Sequence, residues 1–349
     1  MRARLLRSWP IALGAVALIA MLTFPFLGFE AWIVNIAKYT LMYAALGTAW
    51  NYIGGQTGYV SLGSVAFFGL GAYSLGITLQ HVDVGSGWTP FALVLPVGLA
   101  VAVVSLPLAF IAFRTRGLPF IIVTIALVII LQYLAFNVVS VTGGPPGLQI
   151  AVAPFEPGDY ERNFYLAQLA VFLLSLGICA YTMRSRLGLI MTAIREDEDK
   201  AEGLGIAVTT PKYIAFAVSA GLSAMVGAVW AYDLTTVYPQ FAFDPEFLAM
   251  GIILVAYLGG IGTLWGPFIG ALILTPAQQY FAYSLGASQW YLIAYALVFV
   301  LVMLFLPRGV ATTVLDRIRR LQQRNRIEAW ARADASSDAV HDVHTPAAV

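Results

Sequence analysis

The sequence predicts an all-α, polytopic membrane protein of about ten transmembrane helices, and three observations carry that expectation. Of its 349 residues, 60% are hydrophobic and only 11% charged, with a mean hydropathy of +0.82, whereas soluble domains run at about half apolar and a quarter charged. The apolar residues gather in stretches of about 20, the length that crosses a hydrocarbon core of about 30 Å. The basic residues fall almost entirely on one side of the topology those stretches define, as the positive-inside bias requires.

Ten spans are read, over 10–29, 31–53, 58–80, 90–113, 118–140, 164–183, 212–232, 247–265, 266–283 and 289–307. Leu118 to Phe136 alone holds 13 Leu, Ile, Val or Phe residues, which favours insertion by roughly 4 to 8 kcal/mol. The first run, Ile11 to Phe29 behind Arg2, Arg4 and Arg7, reads as a spanning helix. It is longer than the apolar core of a signal peptide, and no small-residue cleavage site follows between Phe26 and Trp32. With the N-terminus inside, all 19 Lys and Arg residues except Lys38 and Arg162 fall in cytoplasmic segments. The expected organisation is a cytoplasmic N-terminus (1–9), a transmembrane domain (10–307) and a cytoplasmic basic tail (308–349), with both termini inside. Thr312 to Arg332 has the pattern of a basic amphipathic helix, for the membrane surface or for a partner ATPase. The last dozen residues are small and polar and are expected to be disordered.

Several function classes are set aside by what the chain lacks. A single cysteine, Cys179, excludes an intrachain disulfide framework, and three histidines, His81, His341 and His344, sit in a loop and the tail. Neither a metal site nor an intramembrane enzyme built on HExxH or paired acids is expected, and no catalytic residue is assigned. A phosphate-binding P-loop needs glycine before lysine. The only lysines, Lys38, Lys200 and Lys212, follow Ala37, Asp199 and Pro211, so ATP hydrolysis of that type is not expected on this chain. A nucleic-acid partner is not expected either; the surrounding partner is membrane lipid.

Three segments outside the spans stand out. The external loops 141–163 and 233–246 are acidic and turn-rich. The internal loop 184–211, RSRLGLIMTAIREDEDKAEGLGIAVTTP, is the densest charge cluster of the protein. Its centre, Ala193 to Leu204, reads as a short helix with acids at 196–199 near the positive end of its dipole and a glycine stop at Gly203 and Gly205. So short a helix is marginal in water and is expected to dock, with Ala201, Gly203 and Gly205 permitting close approach; the alternative is a solvated connector.

Gly54, Gly55, Gly58, Gly63, Gly69, Gly71 and Gly76 run from the second span into the third and permit close helix packing in lipid. Ser61 and Ser64 serve either that packing or a passing solute. Gly259, Gly260, Gly262, Gly266 and Pro267 repeat the style and suggest a weak internal repeat of spans two and three against eight and nine. Lys38 is the one charge well inside a span. It snorkels outward, or it serves a pathway or helix-pairing role. Gln132, Asn137, Thr124 and Asn35 either bond between helices or line a path.

Glu198, Ala201, Glu202 and Gly205 resemble the coupling loop of ABC importer permeases. The flanks RSRLGLIMTAIREDE and AEGLGIAVTTPKYIAFAVSAGLSAMVGAVWA are similar to branched-chain amino acid permeases of the LivM type. So are GGQTGYVSLGSVAFFGLGAYSLG at 54–76, LVIILQYLAFNVVSVTGGPPGL at 127–148 and LGGIGTLWGPFIGALIL at 258–274. The likeness covers about Asn35 to Gly309 and departs at Ser64, where many relatives carry histidine. It implies an ABC importer permease fold in a bacterial inner membrane, moving branched-chain amino acids. It also implies two ATP-binding subunits inside, a second related permease subunit, and an extracytoplasmic substrate-binding protein received by the external loops. No cofactor would be bound here, ATP being on the partner subunits. Arg195, Glu196, Asp197, Glu198, Ala201, Glu202, Gly203 and Gly205 would then couple to the ATPases, and Lys38, Gly58, Ser61, Ser64, Gln132 and Asn137 are candidates for the pathway or for packing. Permeases of the same family serve other amino acids, amides or urea. An ion-coupled secondary transporter is the alternative from another class, and the absence of Asp or Glu from every predicted span counts against it.

Overall fold

Helices form wherever the apolar stretches fall, and they break where glycines gather. The computed structural model describes residues 14, 16–82, 84–85, 87–285, 297, 300, 309 and 313. The chain begins with α1 (Val16–Phe26), followed by α2 (Ala31–Thr57), α3 (Ser64–His81), α4 (Val94–Ala112, entered through a 3-10 turn at Thr89–Leu93) and α5 (Leu118–Asn137). A short α6 (Val139–Thr142) and strand β1 (Leu148–Gln149) lead to α7 (Pro157–Arg184). The short pair α8 (Arg186–Glu196) and α9 (Glu198–Gly203) precedes α10 (Thr209–Leu234). Strand β2 (Thr236–Val237), α11 (Pro239–Ala242), α12 (Phe247–Gly259) and α13 (Gly266–Leu285) complete the described part. Nine of these helices lie on nine of the ten predicted spans; the tenth span, 289–307, and the tail apart from Gly309 and Thr313 lie outside the described residues. Among the described residues, four helices are long and apolar enough to cross a bilayer by length and composition alone: Thr89–Ala112, α5, α7 and α10. The protein is an all-α polytopic membrane protein.

The core is organised around α2 and α10. Every residue of α2 from Thr40 to Thr57 is buried, and so is nearly all of α10 from Ser219 to Tyr232. Lipid supplies no hydrophobic drive between helices, so close van der Waals contact must hold them. Glycine provides it: a methyl group on Gly71 of α3 would collide with the Ala224 carbonyl of α10, and one on Gly227 of α10 with the Phe68 carbonyl of α3. The strands β1 and β2 pair antiparallel, Leu148 opposite Val237 and Gln149 opposite Thr236, so the acidic loops 141–163 and 233–246 are tied together.

Four sequence expectations are corrected. The third span does not begin at 58. Gly58, at φ +79°, ends α2, and the chain runs non-helically to Ser64. The exposed backbone groups of this break find partners: the Trp50 indole donates to the Ser61 carbonyl (2.7 Å), and the Leu62 amide donates to Thr124 Oγ1 (3.1 Å). Irregular backbone at such depth persists only where protein satisfies it. The eighth span is shorter than read. α12 has 13 residues, about 20 Å, and stops where Gly260 and Gly262 take positive φ. The helix expected over 193–204 is two helices, broken at Asp197, whose extended backbone lets its carboxylate cap α9.

Lys38 does not snorkel. It is 4% exposed, and its Nζ lies 2.6 Å from Glu161 Oε2 on α7 and 2.7 Å from Asp233 Oδ2 on α10. The sequence places both carboxylates in loops, beside turn-rich residues; α7 starts at Pro157 and α10 ends at Leu234, so both belong to helices. Lys38 therefore pairs α2, α7 and α10 near their ends.

Two outcomes follow from this packing. Gly227→Ala is expected to lower the melting temperature of the detergent-solubilised protein by an amount equivalent to about 1–3 kcal/mol, as overpacking does. Gly177→Ala on α7, where nothing lies within 4 Å, is expected to be neutral, and equal melting of the two variants would refute the close contact. Lys38→Met strands the buried Asp233 and is expected to cost about 3–5 kcal/mol. Adding Asp233→Asn and Glu161→Gln is expected to recover much of that loss, measured as the coupling term of a mutant cycle.

Candidate coupling site

The short helices α8 and α9 are placed by an apolar underside and two charged anchors. Ser185 caps α8, its hydroxyl accepting the Gly188 amide, and Asp197 caps α9, accepting the Lys200 amide at 3.0 Å. Met191, Ile194, Ala201 and Val208 are buried in one cluster with Tyr52 and Ile53 of α2 and Phe216 of α10. The underside thus seats both helices on the membrane domain.

The first anchor is Glu198. Its Oε1 accepts from Lys212 Nζ at 2.6 Å and lies 3.3 Å from Arg116 Nη2, while its Oε2 accepts from the Tyr59 hydroxyl. Tyr59 belongs to the break between α2 and α3, Arg116 to the turn between α4 and α5, and Lys212 to the first turn of α10. One carboxylate therefore holds three parts of the membrane domain. Lys212 is 5% exposed, and its ammonium lies 5.2 Å from the centre of the Tyr59 ring and 5.4 Å from that of Phe113, in reach of a cation–π attraction. Burial alone would raise the Glu198 carboxyl; the hydrogen bonds from Lys212 and Tyr59 and the charges of Lys212 and Arg116 outweigh it and hold the group below its usual value. A carboxyl depressed in the folded state contributes stability above its free value of 4.5 and loses it only as pH falls through the depressed one. The anchor is therefore ionised and intact at physiological pH.

The second anchor is Arg195, whose Nη1 donates to the Gly55 carbonyl at 2.7 Å. Its side chain also lies against Gly262, where a methyl group would meet the guanidinium. Asn51 of α2 joins the same knot, donating to the Thr263 carbonyl (2.9 Å) and accepting the Gly262 amide (2.7 Å). The two glycine-rich breaks, 58–63 and 260–265, thus flank the C-terminal end of α2 and reach the same pair of helices, α8 and α9. A cavity of about 310 Å³ beside the first break is lined by Gly58, Arg116, Phe120, Arg195, Glu198 and Asp199 among others.

The exposed residues of this segment are Glu196, Glu202, Gly203 and Gly205 among others, with Leu189 and Leu204 71% and 81% exposed.

A family model described as "Branched-chain amino acid transport system / permease component" matches residues 32–306. The chain belongs to this permease family. It is 27% identical over 304 residues to the high-affinity branched-chain amino acid transport system permease protein LivM of Salmonella typhimurium, covering 79% of this chain and 69% of that one. The LivM protein of Escherichia coli is 27% identical over 305 residues, with the same shares covered. BraD of Pseudomonas aeruginosa, named as a permease protein of a system of the same kind, is 30% identical over 142 residues, 41% of this chain and 45% of BraD. No solved structure matches the chain. The family is one of transport permeases rather than enzymes.

Within this permease, the residues singled out in the sequence differ in placement. Arg195, Glu198 and Ala201 turn toward the membrane domain, so Ala201 permits approach of α9 to its own support rather than to a partner. Glu196, Gly203 and Gly205 are exposed, Glu202 is exposed on the Glu198 side of α9 with its Oε2 4.0 Å from Arg116 Nη2, and Asp197 is a cap. Among the others, Gly58 is the left-handed stop of α2, Ser61 Oγ accepts the Gly63 amide, and Ser64 is a buried first residue of α3. Gln132 donates to the Phe243 carbonyl across elements, whereas Asn137 bonds to its own helix at Tyr133. Tyr59, Arg116 and Lys212 escaped sequence reasoning because each lies in a different segment from Glu198. The only signal was a lysine kept at the mouth of an apolar span. Leu189 and Leu204 were hidden in what reads as ordinary helical pattern.

Loss of each partner of Glu198 is expected to differ with burial. Lys212→Met is expected to destabilise by about 3 kcal/mol or more, the cost of breaking a buried pair. Arg116→Ala, whose side chain is 53% exposed, is expected to cost about 0–1 kcal/mol. Thermal melts of both variants decide, and equal losses would mean that Glu198 is held by surface charge rather than by the buried lysine.

Proposed function

We propose that this chain is one transmembrane subunit of an ATP-driven importer of amino acids with branched aliphatic side chains. Two ATP-binding subunits sit on its cytoplasmic side, a second, related permease subunit completes the path, and an extracytoplasmic binding protein delivers the substrate. The chain sits in a bacterial inner membrane with both termini inside, as a spanning domain over 10–307 with a basic cytoplasmic tail. ATP binds the partner subunits and no cofactor binds here. The observation that carries this reading is the anchored cytoplasmic element: α8 and α9 are tied through Glu198 and Arg195 to both helix breaks, and leave Leu189, Glu196 and Leu204 exposed. An element fixed on one side, with apolar and charged side chains exposed, suits a helix that a moving partner grips. Support for the substrate comes from the names of the relatives.

Alternating access then has a route. Closure of the ATPases shifts these exposed residues; Glu198 and Arg195 carry the shift to Tyr59, Lys212 and Gly55, and so to the breaks ahead of α3 and α13. Co-purification with two ATPases and a second permease, with hydrolysis stimulated by a binding protein and leucine, tests the assembly. Within it, Glu202→Lys is expected to uncouple ATP hydrolysis from leucine uptake, reducing uptake about tenfold or more. Unchanged, fully coupled uptake would remove Glu202 from the coupling path.

A further inference from the structure

A second cavity, about 270 Å³, lies on the external half of the fold between α2, α3, α10, α12, α13 and the segment leading into α12. Tyr39 and Tyr43 of α2, Phe68 of α3, Trp230 of α10 and Phe241 form aromatic walls. The polar lining comes from Asp244 and Gln279, and no lysine or arginine lines it among the described residues. Its rim is open at Leu234 and Phe241, which are exposed. Leu234 is the last residue of α10, and Asp244 belongs to the external connection, so the cavity opens outward.

The helices around this cavity carry a second kind of observation. Thr275, one turn deeper on α13 and on the same face as Gln279, is 1% exposed, and its hydroxyl has no hydrogen-bond partner among the described residues. Ser223, two turns deeper on α10 and on the face of Trp230, is fully buried and likewise unpartnered. Asn35 Oδ1 is a third such atom, one turn outward of Tyr39 on α2. Residues spaced by four or seven share a helix face, and an unpaired polar group buried at membrane depth is costly. None of the three lines the cavity itself, but each lies one or two turns from a lining residue on the same helix face, where water or a polar solute supplies the partner.

We infer that this cavity is the external section of the transport path in this subunit, and that it takes a zwitterionic amino acid with an apolar side chain. The inference rests on the importer reading above and adds to it the place and the chemistry. Aromatic faces accept both an aliphatic side chain and an ammonium group. The Asp244 carboxylate favours the ammonium end, the Gln279 amide supplies a donor to the carboxylate end, and the absence of a lining cation disfavours a net anion. The unpaired hydroxyls of Ser223 and Thr275 continue the polar line inward from the chamber.

The test uses the full complex in right-side-out vesicles. Gln279→Cys is treated from outside with a membrane-impermeant thiol reagent; the native Cys179 is buried and gives little background. Modification at least tenfold faster than in the parent chain, with leucine uptake reduced at least fivefold by the modification, is the expected result. Phe241→Ala, at the exposed rim, is expected to raise KM for leucine about threefold or more with the maximal rate retained. A Gln279→Cys chain that is not modified, or is modified without loss of uptake, overturns the chamber. A parent complex that takes up another class of solute but no leucine overturns the substrate class, and the labelling result then judges the chamber by itself.

Discussion

The close approach of α10 to α3 is the contact on which the rest of the structure depends. Gly71 and Gly227 bring the two backbones together, and this sets α10 in the middle of the fold rather than at its edge. Both ends of α10 are thereby fixed in position. Lys212 in the first turn meets Glu198 from the cytoplasmic side, and Asp233 in the last turn meets Lys38 from α2. Neither pair would survive a displacement of the helix by a few ångströms, since charge-assisted bonds at about 2.6–2.9 Å tolerate little stretching. Packing in lipid is weakly driven, so the ion pairs contribute less as net stabilisation than as a constraint on register: desolvating them is expensive unless every partner is in place.

The same reasoning explains why two stretches of irregular backbone are tolerated within an otherwise helical domain. The segments 58–63 and 260–265 carry amide groups that a straight helix would have satisfied. Trp50, Asn51 and Thr124 satisfy several of them from neighbouring helices, and Arg195 takes up the Gly55 carbonyl. Side-chain bonds of this kind are each worth about 0.5–1.5 kcal/mol net. Both breaks are also tied to α8 and α9, through Tyr59 to Glu198 and through Gly262 to Arg195.

Most of the architecture is legible in the sequence because span length and charge placement are properties of single segments. Nine predicted spans meet nine helices, and of the glycines expected to pack, Gly69, Gly71 and Gly76 lie against Phe243, Ala224 and Leu148, while Gly58 ends α2. What escaped is non-local. The Lys38 network joins positions 38, 161 and 233, and no periodicity relates them; the acids were assigned to loops because turn residues surround them. The break before Ser64 reads as continuous helix, since Tyr59, Val60 and Leu62 are as apolar as a span. Only Gly58 and the pairing of Trp50 with the Ser61 carbonyl reverse that reading. Asp197 divides the predicted cytoplasmic helix because a side chain able to cap the next helix competes with helix continuation, and local composition cannot say which of the two prevails.

The attachment of α9 follows from its size. Six residues cannot hold a helix in water, so one side must be spent on attachment: Ala201 buried beneath it, Glu198 tied to Lys212 and Tyr59, Asp197 capping its start. Glu202, four residues on, shares the face of Glu198 and reaches Arg116 at 4.0 Å, while Leu204, past the end of the helix, is exposed. An ion pair with a desolvated lysine resists separation far more than an exposed one, so α9 is held to the mouth of α10 and to the break before α3 by Glu198 rather than by its exposed charges.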